Sequence, residues 1–425
     1  MTRTQLSING MNVVIIQTEK FKTTDLLVNF RNLLTRESVT KRAILPNILR
    51  SGSKNFPSKQ AISRELERLY GASFGTSVLK QGRQHILSFR MSLVNDAYLS
   101  DNAELLDDAF KLLGDILFKP KLDGNVFDER IVNVEKRLLN EYFESLYDNK
   151  IRYAYTKLLE HMYQDEDYKI QSVGLQEDIV GLNPQNLYET YDKMLKEDAV
   201  DFFIIGDIDV ERVKTLIEKT FPTFTPKEDL PVVDMTDKAI SEVNVVEEYQ
   251  DINQAKLNIG LRTNTRGLDD DYDALRVCNG ILGSYPHSLL FKNVREKHSL
   301  CYYIASTLDR AKGAMYIYAG IAPTDYQKAL DLTLEQIEAI KKGDFTNEML
   351  ENTKNAIIND LLSMNDSPTQ VLVNDFTSQL YGEIYDVNKR IERINRVTKQ
   401  DVIGVANKLV LDTIFNLTQK GVSES

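Results

Sequence analysis

Cysteine is scarce in this sequence: Cys278 and Cys301 are the only two. That excludes a disulfide framework and fits a reducing compartment. Each lies in an apolar stretch, so packing is the expected role. Long apolar runs are also missing. None approaches the roughly 20 residues that cross a bilayer as a helix. The opening stretch, MTRTQLSINGMNVVIIQTEKF, has no apolar core followed by a small-residue cleavage site. A cytoplasmic protein without a membrane span is expected. Positive charge is in deficit as well, with a formal net charge of −11. Acidic and basic residues are interleaved, which argues against a nucleic-acid surface and for an ordinary solvated one.

Histidine is nearly as rare. The four are His85, His161, His287 and His298. No two stand three to five residues apart, so no local zinc signature exists. There is no G-x-x-x-x-G-K-[ST] phosphate loop, no G-x-G-x-x-G after a strand and no G-x-S-x-G elbow. His298 shortly precedes Cys301, but cysteine and histidine of a catalytic pair are neighbours in space rather than in sequence. Carboxylates abound, and sequence alone does not select a pair.

What is present suits a large globular chain. Its 425 residues, 42% apolar and 27% charged, suggest more than one domain. The chain reads as a duplication. When 177-EDIVGLNPQNLYETYDKMLKEDAVDFFIIGD-207 is laid over 392-ERINRVTKQDVIGVANKLVLDTIFNLTQKG-421, Ile179 meets Ile394, Gln185 meets Gln400, Lys193 meets Lys408 and Gly206 meets Gly421. In both, a polar stretch starts a helix at Asn183-Pro184-Gln185 or Thr398-Lys399-Gln400. An apolar strand follows, Val200 to Ile205 or Thr413 to Leu417. Asn and Thr suit the N-cap and Pro184 the first helical position. Similar segments near the end of each half indicate repetition.

Residues 221–245 hold Pro222, Pro226, Pro231 and many charges, and are expected to link domains 1–220 and 246–425. In the second half, Ala255, Leu257, Ile259 and Leu261 alternate as a strand does. Residues 271–283 place Leu275, Cys278 and Leu282 on one helical face, with Gly283 as a stop. Segments 301–308 and 314–321 read as a hairpin, followed by helices at about Thr324 to Lys342 and Thr346 to Met364. The first half has strands near Val13–Thr18, Leu26–Phe30 and His85–Leu93, a helix at Lys59–Leu69 and long helices from Asn102. Strands followed by helix pairs give an α+β class: two similar halves, each a mostly antiparallel sheet covered by helices.

One segment is more specific. Val294-Arg295-Glu296-Lys297-His298-Ser299-Leu300-Cys301-Tyr302, within 283-GSYPHSLLFKNVREKHSLCYYIAS-306, resembles the C-terminal half of the pitrilysin family of metallopeptidases. That family includes insulin-degrading enzyme, the mitochondrial processing peptidase and the core subunits of cytochrome bc complexes. Arg295 and Tyr302 correspond to an arginine and a tyrosine of the family motif. The resemblance implies two similar halves and, in the catalytic half, H-x-x-E-H on a helix. Residues i, i+3 and i+4 share one helical face, so two imidazoles can hold zinc while the carboxylate activates a bound water.

The matching stretch here is 43-AILPNILRSGSKNFPSKQAISRELERLYGAS-73. It puts Ala43 and Asn47 at the histidine positions and Pro46 at the glutamate. Alanine has no donor atom, a neutral amide is a poor zinc ligand, and proline supplies no base. The family's remaining ligand is a glutamate seven residues after another glutamate. In 135-EKRLLNEYFES-145 the first is Glu135, and Tyr142 falls at the ligand position. A shift by one residue would put Glu141 there.

The resemblance therefore implies an inactive subunit of a heterodimeric zinc metallopeptidase. No residue of this chain would be catalytic or bind metal. The zinc would belong to a homologous partner, and Arg295 and Tyr302 would bind peptide substrate. A homodimer is possible in isolation. Two alternatives stay open: a structural or peptide-binding protein with no part in proteolysis, and a peptidase whose metal site is displaced.

Overall fold

Several segments in the first 210 residues, among them 11–17, 23–33, 84–94 and 199–206, carry the β-branched and aromatic residues that fit a pleated, half-buried surface. In the computed structural model, which describes residues 1–99, 104–164, 166–227, 230–233 and 239–420, each is a strand. Asn102, Gly421 and positions 228–229 and 234–238 of the expected linker lie outside the described residues.

Along the chain come β1 (Thr2–Ile8), β2 (Met11–Gln17), β3 (Thr23–Leu33), α1 (Val39–Ser51), α2 (Lys59–Arg68), β4 (Ser73–Gln81), β5 (Gln84–Val94) and α3 (Leu105–Phe118). A two-residue pair, β6 (Leu122–Asp123) and β7 (Val126–Phe127), precedes α4 (Glu129–Asp148), α5 (Lys150–Met162), α6 (Pro184–Glu197), β8 (Ala199–Gly206) and α7 (Val210–Thr220). Then follow β9 (Asn244–Tyr249), β10 (Ala255–Arg262), α8 (Tyr272–Asn279), β11 (Cys301–Asp309) and β12 (Ala314–Ile321). The chain closes with α9 (Tyr326–Lys342), α10 (Asn347–Met364), α11 (Pro368–Leu380), α12 (Val387–Arg396), α13 (Lys399–Ala406) and β13 (Val410–Thr418).

Two compact units result, and neither is contiguous. The first comprises Met1–Phe143, Ile170–Val232 and Asn365–Ile384. Its sheet runs β1-β2-β8-β3-β5-β4, antiparallel except for β2 against β8. Successive side chains of a strand point to opposite faces. Val13 and Ile15 therefore join the core under α1 and α3, whereas Val14 and Ile16 join Leu27, Phe203 and Ile205 under Leu372 and Phe376 of α11. Burial on both faces explains the unbroken apolar run of β8.

The second unit comprises Glu144–Lys169, Val233–Met364 and Tyr385–Ser425. Its sheet runs β11-β12-β10-β13-β9, with β13 and β9 parallel. One face carries α8, α9 and α13 through Leu257, Ile259-side neighbours such as Ile317, and Val402. The other carries α5 through Ala154, Leu158 and Met162 against Tyr316 and Phe415. Gly260 makes this contact possible: a Cβ there would stand 2.6 Å from Met162 Sδ.

The α+β class is as expected, and the two sheets match strand for strand from β2-β8-β3-β5-β4 to β9-β13-β10-β12-β11. The repeat extends to side chains. Asn183 and Thr398 both form capping boxes. Buried Arg31 pairs with Asp201 at 2.5 Å, and buried Arg262 pairs with Asp412 at 2.6 Å, in corresponding strands. Each sheet has its second face covered by a helix from the other half of the sequence, an exchange that contiguous domains ending at 220 and starting at 246 do not contain. One local expectation is corrected. Gly283 does not stop an α-helix, because α8 ends at Asn279 and passes into a π-helical turn over Gly280–Ser284. A Cβ on Gly283 would meet Ser306 Oγ at 2.5 Å, so close packing accounts for this glycine.

Candidate functional site

Helix α1 carries the stretch that aligns with the zinc motif. It packs on β4 and β5 and contains Pro46 in its interior, where proline has no N–H to donate to the preceding turn. Ala43 and Pro46 are buried and Asn47 is exposed. None of the three offers a zinc ligand or a general base. The residues present do not fit zinc, and no step can be built through one.

The helix is held by charge pairs. The Arg42 guanidinium reaches both oxygens of Asp198, at 2.8 and 2.7 Å, and its Nε donates to His85 Nδ1 at 3.4 Å. His85 Nε2 faces the Ser172 carbonyl at 2.8 Å. Burial, with the adjacent Arg42 charge, pushes the His85 pKa down to about 3. The ring is therefore neutral, an acceptor toward Arg42 and a donor toward Ser172.

At the other end of α1, Ser51 Oγ and Lys59 Nζ each donate to buried Glu135 Oε1 at 2.7 Å. Tyr142 lies two turns further along α4, on the Glu135 face, and is half-buried. Glu141 points outward, 3.6 Å from Arg137. The geometry thus gives the earlier glutamate an ammonium partner, and a tyrosine shares its helical face. Among the described residues, no group of three or more His, Cys, Asp or Glu could hold a metal ion.

The remaining histidines stand in separate environments: His161 stacks on Phe415, His287 bonds Thr353 Oγ1 at 2.8 Å, and His298 is exposed. Both cysteines are free and buried. Burial pushes the thiols up, to about 12 for Cys278 and about 11 for Cys301, so neither is a ready nucleophile.

Arg295 and Tyr302 belong to the second unit. Arg295 is in a π-helical turn, Phe291–Lys297, with its guanidinium 4.5 Å from the centre of the Phe291 ring. Ser299 then takes a left-handed conformation, φ 55°, and Leu300 N–H closes back on the Val294 carbonyl at 3.2 Å. This is the C-terminal turn by which many helices stop. Tyr302 follows at a register shift in β11, between Cys301 and Tyr303. β11 is an edge strand. Extra residues of this kind re-aim side chains, and Tyr302 is 70% exposed. Neither Arg295 nor Tyr302 has an ion pair or side-chain hydrogen bond among the described residues, although the chain has 63 acidic groups to choose from.

The first unit repeats this turn. Ser58 caps α2 as Ser288 caps the turn before Arg295. Ala72 N–H closes on the Leu66 carbonyl at 3.0 Å, and the chain then enters the edge strand β4. By this match Glu67 and Phe74 stand where the second unit has Arg295 and Tyr302. Sequence reasoning missed the correspondence because the two turns share hydrogen bonds and almost no residue types.

Comparison with known proteins agrees with this geometry. A family model described as "Peptidase M16 inactive domain" matches residues 181–357. The "Probable inactive metalloprotease YmfF" of Bacillus subtilis (strain 168) is 35% identical over 411 residues, 96% of each chain. The crystal structure of a conserved protein from Enterococcus faecalis V583 matches with TM-score 0.92 and 32% identity over 100% of both chains. That of the peptidase M16 inactive domain from Pseudomonas fluorescens has the same fold, with TM-score 0.82 and 19% identity over 100% of both chains. With the sheets, the repeat and the substituted α1 stretch already described, these likenesses have one meaning: the chain belongs to the M16, or pitrilysin, family of metallopeptidases, as a homologue in which the zinc motif has been replaced.

Proposed function

We propose that this chain is the non-catalytic subunit of a two-chain peptidase and works beside a zinc-bearing M16 homologue in the cytoplasm. The observation that carries the reading is the state of Arg295 and Tyr302: two exposed donors, presented by a π-helical turn and a shifted edge strand, with no ion pair or side-chain hydrogen bond among the described residues. In this role Tyr302 donates to the oxyanion of the tetrahedral intermediate, or to the substrate carbonyl that becomes it. Arg295 holds a neighbouring backbone carbonyl. A donor aimed at developing charge contributes about 2.7–4 kcal/mol to transition-state stabilisation. Peptide is the substrate, and zinc chemistry belongs to the partner.

The test is reconstitution. The chain alone, purified without chelator, should hold no stoichiometric zinc and cleave no peptide, whether monomeric or homodimeric. Mixed with its zinc-bearing homologue, it should raise hydrolysis of a quenched fluorescent peptide. Arg295→Ala and Tyr302→Phe should each lower that gain with the complex still formed. Full activity in both variants removes the assigned roles. Capture of a stable assembly without a zinc homologue would favour the alternative, a structural or peptide-binding protein.

A further inference from the structure

A second feature of the first unit lies at the free edge of its sheet. On the face covered by α11, strand register sets up two cross-strand rows: Ser73–Ser92–Asp25 and Gly75–Arg90–Leu27. Between these rows and Thr369 and Leu372 of α11 is a cavity of about 270 Å³. That volume accommodates an amino-acid side chain. Gly75 forms its outer lip on edge strand β4, and a Cβ built on Gly75 meets no atom within 4 Å.

The polar groups inside are specific. Asp25 is 4% exposed. Its carboxylate accepts from two hydroxyls, Thr23 Oγ1 at 2.7 Å and Thr369 Oγ1 at 2.8 Å, and forms no ion pair among the described residues. Each oxygen retains a vacant acceptor site. Arg90 shares the cavity, its guanidinium donates to Ser77 Oγ at 3.2 Å, and it makes no ion pair among the described residues. Leu27 and Leu372 supply an apolar wall.

A bland reading exists: Asp25 fastens the first turn of α11 through Thr369, and the cavity is a packing defect. That accounts for Asp25. It leaves unexplained a partly buried guanidinium with one hydrogen bond among the described residues, and a glycine at the opening where a Cβ would meet no atom within 4 Å.

We infer that the cavity beside Gly75 is a subsite for the carboxamide side chain, glutamine or asparagine, of an extended peptide that pairs with β4. The inference rests on the peptide-binding part of the function proposed above. An edge strand offers unpaired backbone groups to such a peptide, and alternate peptide side chains then point to the α11 face. A cationic side chain would satisfy Asp25 but face Arg90, and an anionic one would do the reverse. A carboxamide matches both, its carbonyl accepting from Arg90 and its amide donating to Asp25. The methylenes of glutamine would lie along Leu27 and Leu372.

The probe is a set of fluorescein-labelled dodecapeptides, alanine- and serine-based, in which one central residue is Gln, Glu, Lys or Leu, read by fluorescence anisotropy on the full chain. The Gln peptide should bind most tightly, with about a tenfold advantage over Glu and Lys, the scale set by burying one mismatched polar group. Gly75→Leu, which fills the cavity, should remove the advantage with thermal stability unchanged or raised. Arg90→Met should remove discrimination against Lys. Equal affinities for all four peptides, no binding of any, or a Gly75→Leu chain that still prefers Gln would overturn the subsite. Arg295→Ala separates the two ideas: loss of binding there, with Gly75→Leu neutral, upholds the Arg295 role and rejects the subsite.

Discussion

Arg42 and Asp198 meet in two parallel hydrogen bonds, 2.8 and 2.7 Å long, with both side chains almost wholly out of solvent. The pair ties the helix with the substituted motif to the start of β8. Asn32 Nδ2 adds a third bond to Asp198 at 2.9 Å. Removing one charge would leave the other buried alone, which costs about 3–5 kcal/mol. Arg42→Met should therefore lower the free energy of unfolding by that amount in urea titrations. Arg42→Met with Asp198→Leu should cost less than Arg42→Met alone. A loss below about 1 kcal/mol for the single variant would mean that the pair is not a fastening of α1.

The neighbouring His85 makes stability depend on pH. Its folded pKa, about 3, lies below the ordinary 6.5, so the unfolded chain takes up a proton that the folded chain refuses. Stability from this group is complete above pH 6.5 and declines as pH falls toward 3, with a limiting slope of about 1.4 kcal/mol per pH unit. Between pH 6.5 and 5.5 carboxylates are still ionised, so the histidine effect can be read there. His85→Gln should flatten the stability curve in that window. An unchanged slope would show that His85 protonates in the folded state.

Rebuilding the metal motif tests the site directly. Ala43→His, Pro46→Glu and Asn47→His together place two imidazoles and a carboxylate on one helical face. This triple variant should bind zinc measurably by calorimetry and still hydrolyse no peptide. Adding Tyr142→Glu should tighten binding further, because position 142 shares a face with Glu135. If Tyr142→Glu has no effect and Glu141→Ala weakens zinc binding, the ligand position is 141.

The exchanged helices predict how the chain can be divided. Residues 246–425 expressed alone lack α5, which covers Tyr316 and Phe415 in the second unit. That fragment should be aggregation-prone, whereas co-expression with 1–245 should give a folded complex recoverable by gel filtration. A monomeric, cooperatively unfolding 246–425 fragment would contradict the prediction. Within the intact chain, Gly260→Val should destabilise by about 1–3 kcal/mol through overpacking against Met162.

Much of this architecture was legible in the sequence. Alternation marked β10, the polar starts at Asn183 and Thr398 marked α6 and α13, and the stretch from Val294 to Tyr302 marked the family resemblance. Local pattern serves such features well because one or two turns of chain contain their whole cause. Strand β4 was not marked, since its Gly, Ser and Lys residues have low strand propensity and are recruited by pairing with β5. The path of α5 and α11 was hidden for another reason. An amphipathic stripe says that a face must be covered, not which sheet covers it. The same limit applied to Lys59 and Glu135, which come together only through the packing of three helices.

The placement of α11 also has a consequence in time. The second face of the first sheet, with Val14, Leu27 and Phe203, is covered by residues 368–380. A chain emerging from the ribosome must therefore keep that face open through the synthesis of nearly everything else. Domains usually finish folding in the order they are made. Here the first unit is completed among the last, and nascent-chain handling rather than final stability should set the yield of the protein in cells.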